Sequence, residues 1–298
     1  MKRFPDNARV CFIGDSITHV NHYLANIVAF YRENFPKSNV EFYNCGISGG
    51  TLSSALNSFD EDIAIYNPTH AVIMIGINDS NREALSGKSE EKYNILKTAY
   101  ENYKINLEKV CARLKNTGVI ITLCTPTPYA EYVDSNVPAL RGGSALLVGY
   151  ADFVRNYAMQ NGYPLCDYHS YITKVMQTEN IYDEDHVHPT LRGHYYIAKC
   201  FLEFQGLELG EEKELPADIA RWHETVVNIR DTIATEYFVL FGNFSNTPEQ
   251  RMAAVVDYLE NGNGYMGEYI TNLAKRYFEN KSNQQTNIQY AIDFMRNK

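Results

Sequence analysis

Ser16, His188 and Asp185, together with Gly49 and Asn78, are the residues whose types and spacing could transfer an acyl group. Such chemistry needs a nucleophile, a base oriented by a carboxylate, and donors for the oxyanion that develops on the attacked carbonyl. Ser16 closes the run Val10-Cys11-Phe12-Ile13-Gly14-Asp15-Ser16, in which a buried strand ends at a tight turn and delivers a hydroxyl. Asp185 stands three residues before His188, a spacing that lets a carboxylate reach the imidazole of its own turn and set its tautomer. The backbone N–H groups of Ser16 and Gly49 and the side-chain amide of Asn78 are the candidate oxyanion donors. Glycine suits position 49 because a tetrahedral intermediate must come close to the backbone there.

Each of these residues also has a plainer role to weigh. Ser16 could simply cap a helix, and Asn78-Asp79 could be a turn or a cap. Gly46, Gly49 and Gly50 could be turn glycines, and a slip of one residue would move the donor to Gly50. His186 competes with His188, since Asp183 precedes it by the same spacing. Pro189 and the helical pattern that follows favour His188. Asp185, His186 and His188 could instead hold zinc or manganese. No HExxH pattern and no second His-rich cluster supports that, so neither a metal nor another cofactor is expected.

The elements that must position these groups alternate in type over the first two-thirds of the chain. Strand patterns at 10–13, 40–44, 71–75, 119–124 and 164–167 alternate with helical ones. The helical patterns are marked by Leu24 to Phe35, Leu52 to Ile63, Tyr93 to Leu114, Leu146 to Tyr157, Tyr171 to Gln177 and Leu191 to Phe204. Gly118 stands where the long third helix should stop. Repeated strand–helix units with short connections predict a parallel sheet covered on both faces. The chemically loaded segments then meet at the carboxyl edge of that sheet, where open sheets bind ligands. From about Gly206 the strand signals stop. Helices are expected over 217–240, 247–259, 264–278 and 287–295, the second opened by Thr247-Pro248-Glu249-Gln250. The expected division is residues 1–205 and a helical extension, 206–298, packed on the first domain or on a second copy of the chain. A homo-oligomer through the extension is one outcome.

Composition narrows the partners. The 298 residues are 45% apolar, enough for a sizeable core. The 36 acidic against 27 basic residues give −9, which argues against nucleic acid or an anionic membrane as the main partner. No apolar run approaches a membrane span, and Met1-Lys2-Arg3-Phe4-Pro5-Asp6 is not followed by the apolar stretch of a signal peptide. Six cysteines without a CxxC pair suit buried free thiols and a cytoplasmic setting.

Gly14-Asp15-Ser16-Ile17, Asn44-x-Gly46-Ile47-Ser48-Gly49, Gly76-Ile77-Asn78-Asp79 and Asp185-x-x-His188-Pro189 resemble, in order, the four sequence blocks of the SGNH (GDSL-type) hydrolases. The resemblance covers roughly residues 8–205. It implies a three-layer α/β/α, flavodoxin-like fold and metal-free esterase, lipase or carbohydrate deacetylase chemistry. It also implies Ser16 as nucleophile, Gly49 and Asn78 as oxyanion donors, His188 as base and Asp185 as its orienting partner. Nothing carries over to the extension.

The expected function is hydrolysis of short-chain esters, acetyl above all, on a small molecule or carbohydrate. The alternatives are an O-acyltransferase, a lipase or lysophospholipase of the same fold, and a non-catalytic carbohydrate-binding module. Asp15, His19, Asp79, Tyr129 and Tyr132 form the candidate substrate-binding set, although Asp15 could equally support its turn through hydrogen bonds. His19 and His22 follow the nucleophile and could line the pocket mouth. Tyr129 and Tyr132 lie in the loop after the fourth strand, where aromatic faces would suit a sugar or pack beneath the extension.

Overall fold

The computed structural model describes residues 2–87 and 89–237. The helices expected over 247–259, 264–278 and 287–295, and the end of the one expected over 217–240, lie outside the described residues. The chain divides into two compact units between Lys213 and Glu214.

The first unit is built on five parallel strands: β1 (Arg9–Gly14), β2 (Glu41–Gly46), β3 (His70–Met74), β4 (Ile120–Cys124) and β5 (Leu165–Cys166). Their order is β2-β1-β3-β4-β5, with every neighbouring pair parallel. β3 is buried along its whole length, and β1 and β2 everywhere but at their first residue, as strands covered on both faces must be. The connecting helices are α1 (Ser16–His19), α2 (His22–Asn34), α3 (Leu52–Asn57), α4 (Phe59–Asp62), α5 (Ser89–Asn116), α6 (Gly143–Asn161), α7 (Tyr168–Val175) and α8 (Leu191–Phe204). α8 packs on α2 and α7, and α3 packs on α5. Tyr100 and Tyr103 of α5 meet Tyr150 of α6. With right-handed crossovers in this strand order, these groups form the two outer layers of an α/β/α sandwich.

Three expectations need correction. The helix after Ser16 is broken in two. Asn21 adopts left-handed backbone (φ 61°), which asparagine tolerates better than most residues, and its side-chain oxygen accepts from Asn44 Nδ2 at 3.1 Å. The helix over Leu52 to Ile63 breaks at Ser58, whose hydroxyl donates to the Ser54 carbonyl and so competes with the backbone ladder. Tyr93, expected on the apolar face of α5, is 65% exposed. Only Tyr103, Leu107, Val110 and Leu114 of that face are buried.

All six cysteines are free and buried. The sulfurs of Cys166 and Cys200 lie 3.8 Å apart, in contact but unbonded. Burial pushes the Cys111 thiol up to about 12.

In the second unit the described helix is α9 (Ala217–Tyr237), which agrees with the expected start at 217. Ile219, Trp222, Val226 and Ile229 of its apolar stripe are buried. Among the described residues no helix is long and apolar enough to cross a membrane.

Candidate active site

Ser16 is the first residue of α1, and Asp15 rather than Ser16 caps that helix. The Asp15 carboxylate accepts from Ile17 N at 3.0 Å, an interaction that contributes about 1 kcal/mol in typical helices. Asp15 is therefore part of the turn and not of a substrate surface. It is 3% exposed, and burial raises its carboxyl to about 6.

The turn is seated on β2. A Cβ added at Gly46 would lie 2.4 Å from His19 N, so α1 touches the strand backbone to backbone and only glycine allows that approach. Asn44, wholly buried, holds the arrangement from below. Its Nδ2 donates to Thr18 O (2.8 Å) and His19 O (3.3 Å), and its Oδ1 accepts from Gly46 N (2.8 Å). Thr18 Oγ1 and Tyr23 OH add a bond of 2.9 Å between α1 and α2.

Ser16 Oγ lies 2.7 Å from His188 Nε2. The opposite ring nitrogen, Nδ1, makes a very short hydrogen bond to Asp185 Oδ2. The other carboxylate oxygen accepts from the backbone N–H groups of Val187 and His188, each at 2.9 Å. Burial alone would raise the Asp185 carboxyl, but these three bonds outweigh it and hold the group well below the ordinary carboxylate range. The bond to Asp185 raises the His188 imidazole above its ordinary value, against the opposing pull of burial.

The competing assignments separate cleanly. His186 is buried and left-handed (φ 65°), with its ring nitrogens 2.9 Å from Ala130 O and 2.6 Å from Val137 O. Its own carbonyl accepts from Ala130 N at 2.9 Å. It thus fastens the 130–137 loop to the turn that carries Asp185 and His188, and its ring is engaged away from Ser16. Among the described residues no three histidine, cysteine or acidic side chains are grouped so as to hold a metal.

Gly49 is exposed and left-handed (φ 70°), whereas Gly50 is buried and its N–H is already committed to Ile47 O at 2.8 Å. Of the two glycines, only Gly49 leaves its N–H for an oxyanion. Asn78 Nδ2 donates to Gly50 O at 3.0 Å, which ties the turn after β3 to this one and leaves the second amide hydrogen for another acceptor. Ser16, as the first residue of α1, has an N–H without an intrahelical acceptor.

Three further members of the expected substrate-binding set are structural in their placement. His19 is 1% exposed, and its Nδ1 accepts from Ser48 N at 3.3 Å, supporting the glycine turn from beneath. The Asp79 carboxylate accepts from Leu52 N at 3.0 Å and pins the start of α3; burial raises it to about 7. Tyr129 is 3% exposed, its hydroxyl accepts from Leu140 N at 2.9 Å, and its ring fills the space beside Gly143. Tyr132 alone of the set is open to solvent, at 88% exposure.

The sequence and the fold have counterparts among known proteins. Residues 12–196 match the model of the GDSL-like Lipase/Acylhydrolase family. An acetylxylan esterase of Geobacillus stearothermophilus is 27% identical over 221 residues, which cover 67% of this chain and 94% of that one. BT4096, a gut microbial diltiazem-metabolizing enzyme, superposes with a TM-score of 0.64 at 25% identity over 69% of this chain, which spans 48% of that enzyme's length. A catalytic mutant of Axe2, an acetylxylan esterase from Geobacillus stearothermophilus, shares the fold with a TM-score of 0.59 at 24% identity, covering 72% of this chain and 100% of its own.

Proposed function

The chain belongs to the GDSL-like Lipase/Acylhydrolase family and is a carboxylic ester hydrolase, and from that premise we propose that it removes acetyl groups from carbohydrate hydroxyls through an acyl-enzyme at Ser16. The observation that carries the mechanism is the alignment of Ser16 Oγ, the His188 ring and the Asp185 carboxylate, with 2.7 Å between hydroxyl and Nε2. The acetyl-carbohydrate class is supported by similarity to an acetylxylan esterase over 94% of that enzyme. In this reading residues 1–205 form the hydrolase domain that carries the chemistry, and residues 206–298 form a separate extension.

Asp185 accepts a hydrogen bond from Nδ1–H and keeps that proton on Nδ1, so the neutral imidazole presents a lone pair at Nε2 to the serine hydroxyl. Ser16 Oγ attacks the ester carbonyl carbon as its proton passes to Nε2. The carbonyl oxygen becomes an oxyanion, held by the N–H groups of Ser16 and Gly49 and by the Asn78 amide. Collapse breaks the bond to the alkoxy oxygen, which leaves with the proton from Nε2. Water then gives a proton to Nε2 and attacks the acetyl-serine; acetate departs and Ser16 recovers its hydrogen.

Because the Asn78 amide acts on charge that exists only along this path, Asn78→Ala is expected to lower kcat by about 10²–10³-fold with little change in KM. Steady-state kinetics on p-nitrophenyl acetate checks this, and a pure KM effect would remove Asn78 from the oxyanion site.

The substrate class is tested by comparing acetylated xylo-oligosaccharides with aryl esters from acetyl to octanoyl. Acetate release from the sugars, and decline of the aryl series beyond acetyl, is the expected result. A rate that rises toward octanoyl would make the protein a lipase. Transfer of acetyl to an added sugar instead of to water would make it an acyltransferase.

A further inference from the structure

A cavity of about 680 Å³ borders His188 and Asp185 and continues past them along the start of α8 and the loop between α1 and α2. Ser16, Gly49 and Asn78 do not line it. An ester held at Ser16 has two arms with different needs. Its carbonyl oxygen turns toward the oxyanion donors, whereas its alkoxy oxygen must reach His188 Nε2, because that is where the departing alcohol collects its proton. The alcohol therefore lies on the His188 side, which this cavity borders. The volume falls in the range of small-ligand sites.

The wall tells what alcohol it suits. Leu191, 65% exposed, and Val20 and Pro189 supply apolar surface of the kind that meets the C–H face of a sugar ring. His22 and Asp183 supply hydrogen-bonding groups, and burial pulls the His22 imidazole below its ordinary value, toward its neutral form. Arg192 is also on the wall, but its guanidinium is already held by Glu179 at 3.0 Å, Glu212 at 2.9 Å and the Tyr196 hydroxyl at 2.8 Å. The Asp185 carboxylate is engaged by His188, while Asp183 is exposed.

We propose that this cavity is the leaving-group site for an uncharged pyranose, with His22 and Asp183 bonding its hydroxyls, and that it discriminates against acidic sugars because its wall carries the carboxylates of Asp183 and Asp185 while the Arg192 guanidinium on it is held by Glu179 and Glu212. The assignment rests on the acetyl-carbohydrate function above.

The test measures kcat/KM for acetylated methyl xyloside, acetylated methyl glucuronide and ethyl acetate in the wild type and in the variants His22→Ala, Asp183→Asn and Asp183→Lys. In the wild type the neutral sugar ester is preferred over the acidic one by about tenfold or more. Asp183→Lys erases that preference, and Asp183→Asn narrows it. His22→Ala lowers the ratio of xyloside to ethyl acetate by about tenfold, through KM. Asp183 is exposed on a turn, so its variants test the site even where His22→Ala fails to fold. Ratios that do not move in any folded variant, while the wild type cleaves the acetylated xyloside, would overturn this assignment and leave the function standing. A wild type that cleaves ethyl acetate but no acetylated sugar would overturn both.

Discussion

Ser16→Ala is expected to lower kcat by about 10⁶-fold, His188→Ala to cost about the same, and the double variant to cost no more than either single one. The physical reason is that the two side chains act as a unit. With Oγ gone, the imidazole 2.7 Å away has no proton to take; with the imidazole gone, the hydroxyl keeps its proton and is a poor nucleophile. Removing the second member after the first therefore removes nothing further. What remains is the contribution of the oxyanion donors and of substrate binding. The comparison needs p-nitrophenyl acetate hydrolysis in all three variants, with circular dichroism to establish that the sheet is intact. Losses that multiply in the double variant, or a Ser16→Ala protein that keeps a tenth of the wild-type rate, would show that the two groups do not form the working pair.

Asp185→Asn has the second largest expected effect, a loss of about 10⁴-fold in kcat. An amide cannot stabilise the imidazolium as a carboxylate does, and its NH₂ favours the tautomer with the proton on Nε2, facing the serine instead of available to receive from it. The pH dependence provides a separate signature. In the proposed mechanism the base is the neutral ring. Its carboxylate partner raises the His188 pKa above the ordinary value of 6.5, so the neutral fraction falls away as pH drops through a midpoint above 6.5. In Asp185→Asn the largest raising contribution is gone and burial, which favours the neutral ring, remains. The acid limb of kcat/KM therefore moves to lower pH while the plateau falls. A plateau that falls with the limb unmoved would mean that Asp185 supports the turn through the Val187 and His188 amides without setting the ring's basicity.

Ser16, Asn78, Asp185 and His188 were legible as candidates in the sequence because the information is local. Ser16 and Asn78 follow closely on β1 and β3, and Asp185 and His188 share a turn. All five strands could be placed for the same reason, as short apolar runs closed by turn residues. The groups that hold the reactive set in position could not be found this way, since each works across a long stretch of chain. Asn44 bonds a carbonyl 26 positions away, His19 an amide 29 positions away, and His186 a carbonyl 49 positions away. Nothing in the residues flanking His19 tells that its ring turns inward, so pattern alone grouped it with surface residues near the nucleophile. The misplacement of Tyr129 has the same origin: the space that receives its ring exists because residue 143 is a glycine in another element. Asn44 did leave a trace, a polar side chain within a buried strand and two residues before a glycine, which is a demand for local hydrogen bonds.

The buried thiols give the chain a built-in set of reporters. Cys11, Cys45, Cys124 and Cys166 sit on β1, β2, β4 and β5, with Cys111 on α5 and Cys200 on α8. An alkylating reagent reaches each sulfur only when the segment around it opens, and the elevated Cys111 and Cys166 thiols favour the unreactive protonated form until then. Labelling followed by peptide mapping thus ranks the breathing of the central layer strand by strand, and of one helix on each side of it, in the native polypeptide. Since the proposed nucleophile is a hydroxyl, a thiol-directed reagent and a serine-directed one address separate populations, and the chain's opening can be timed while turnover is being followed.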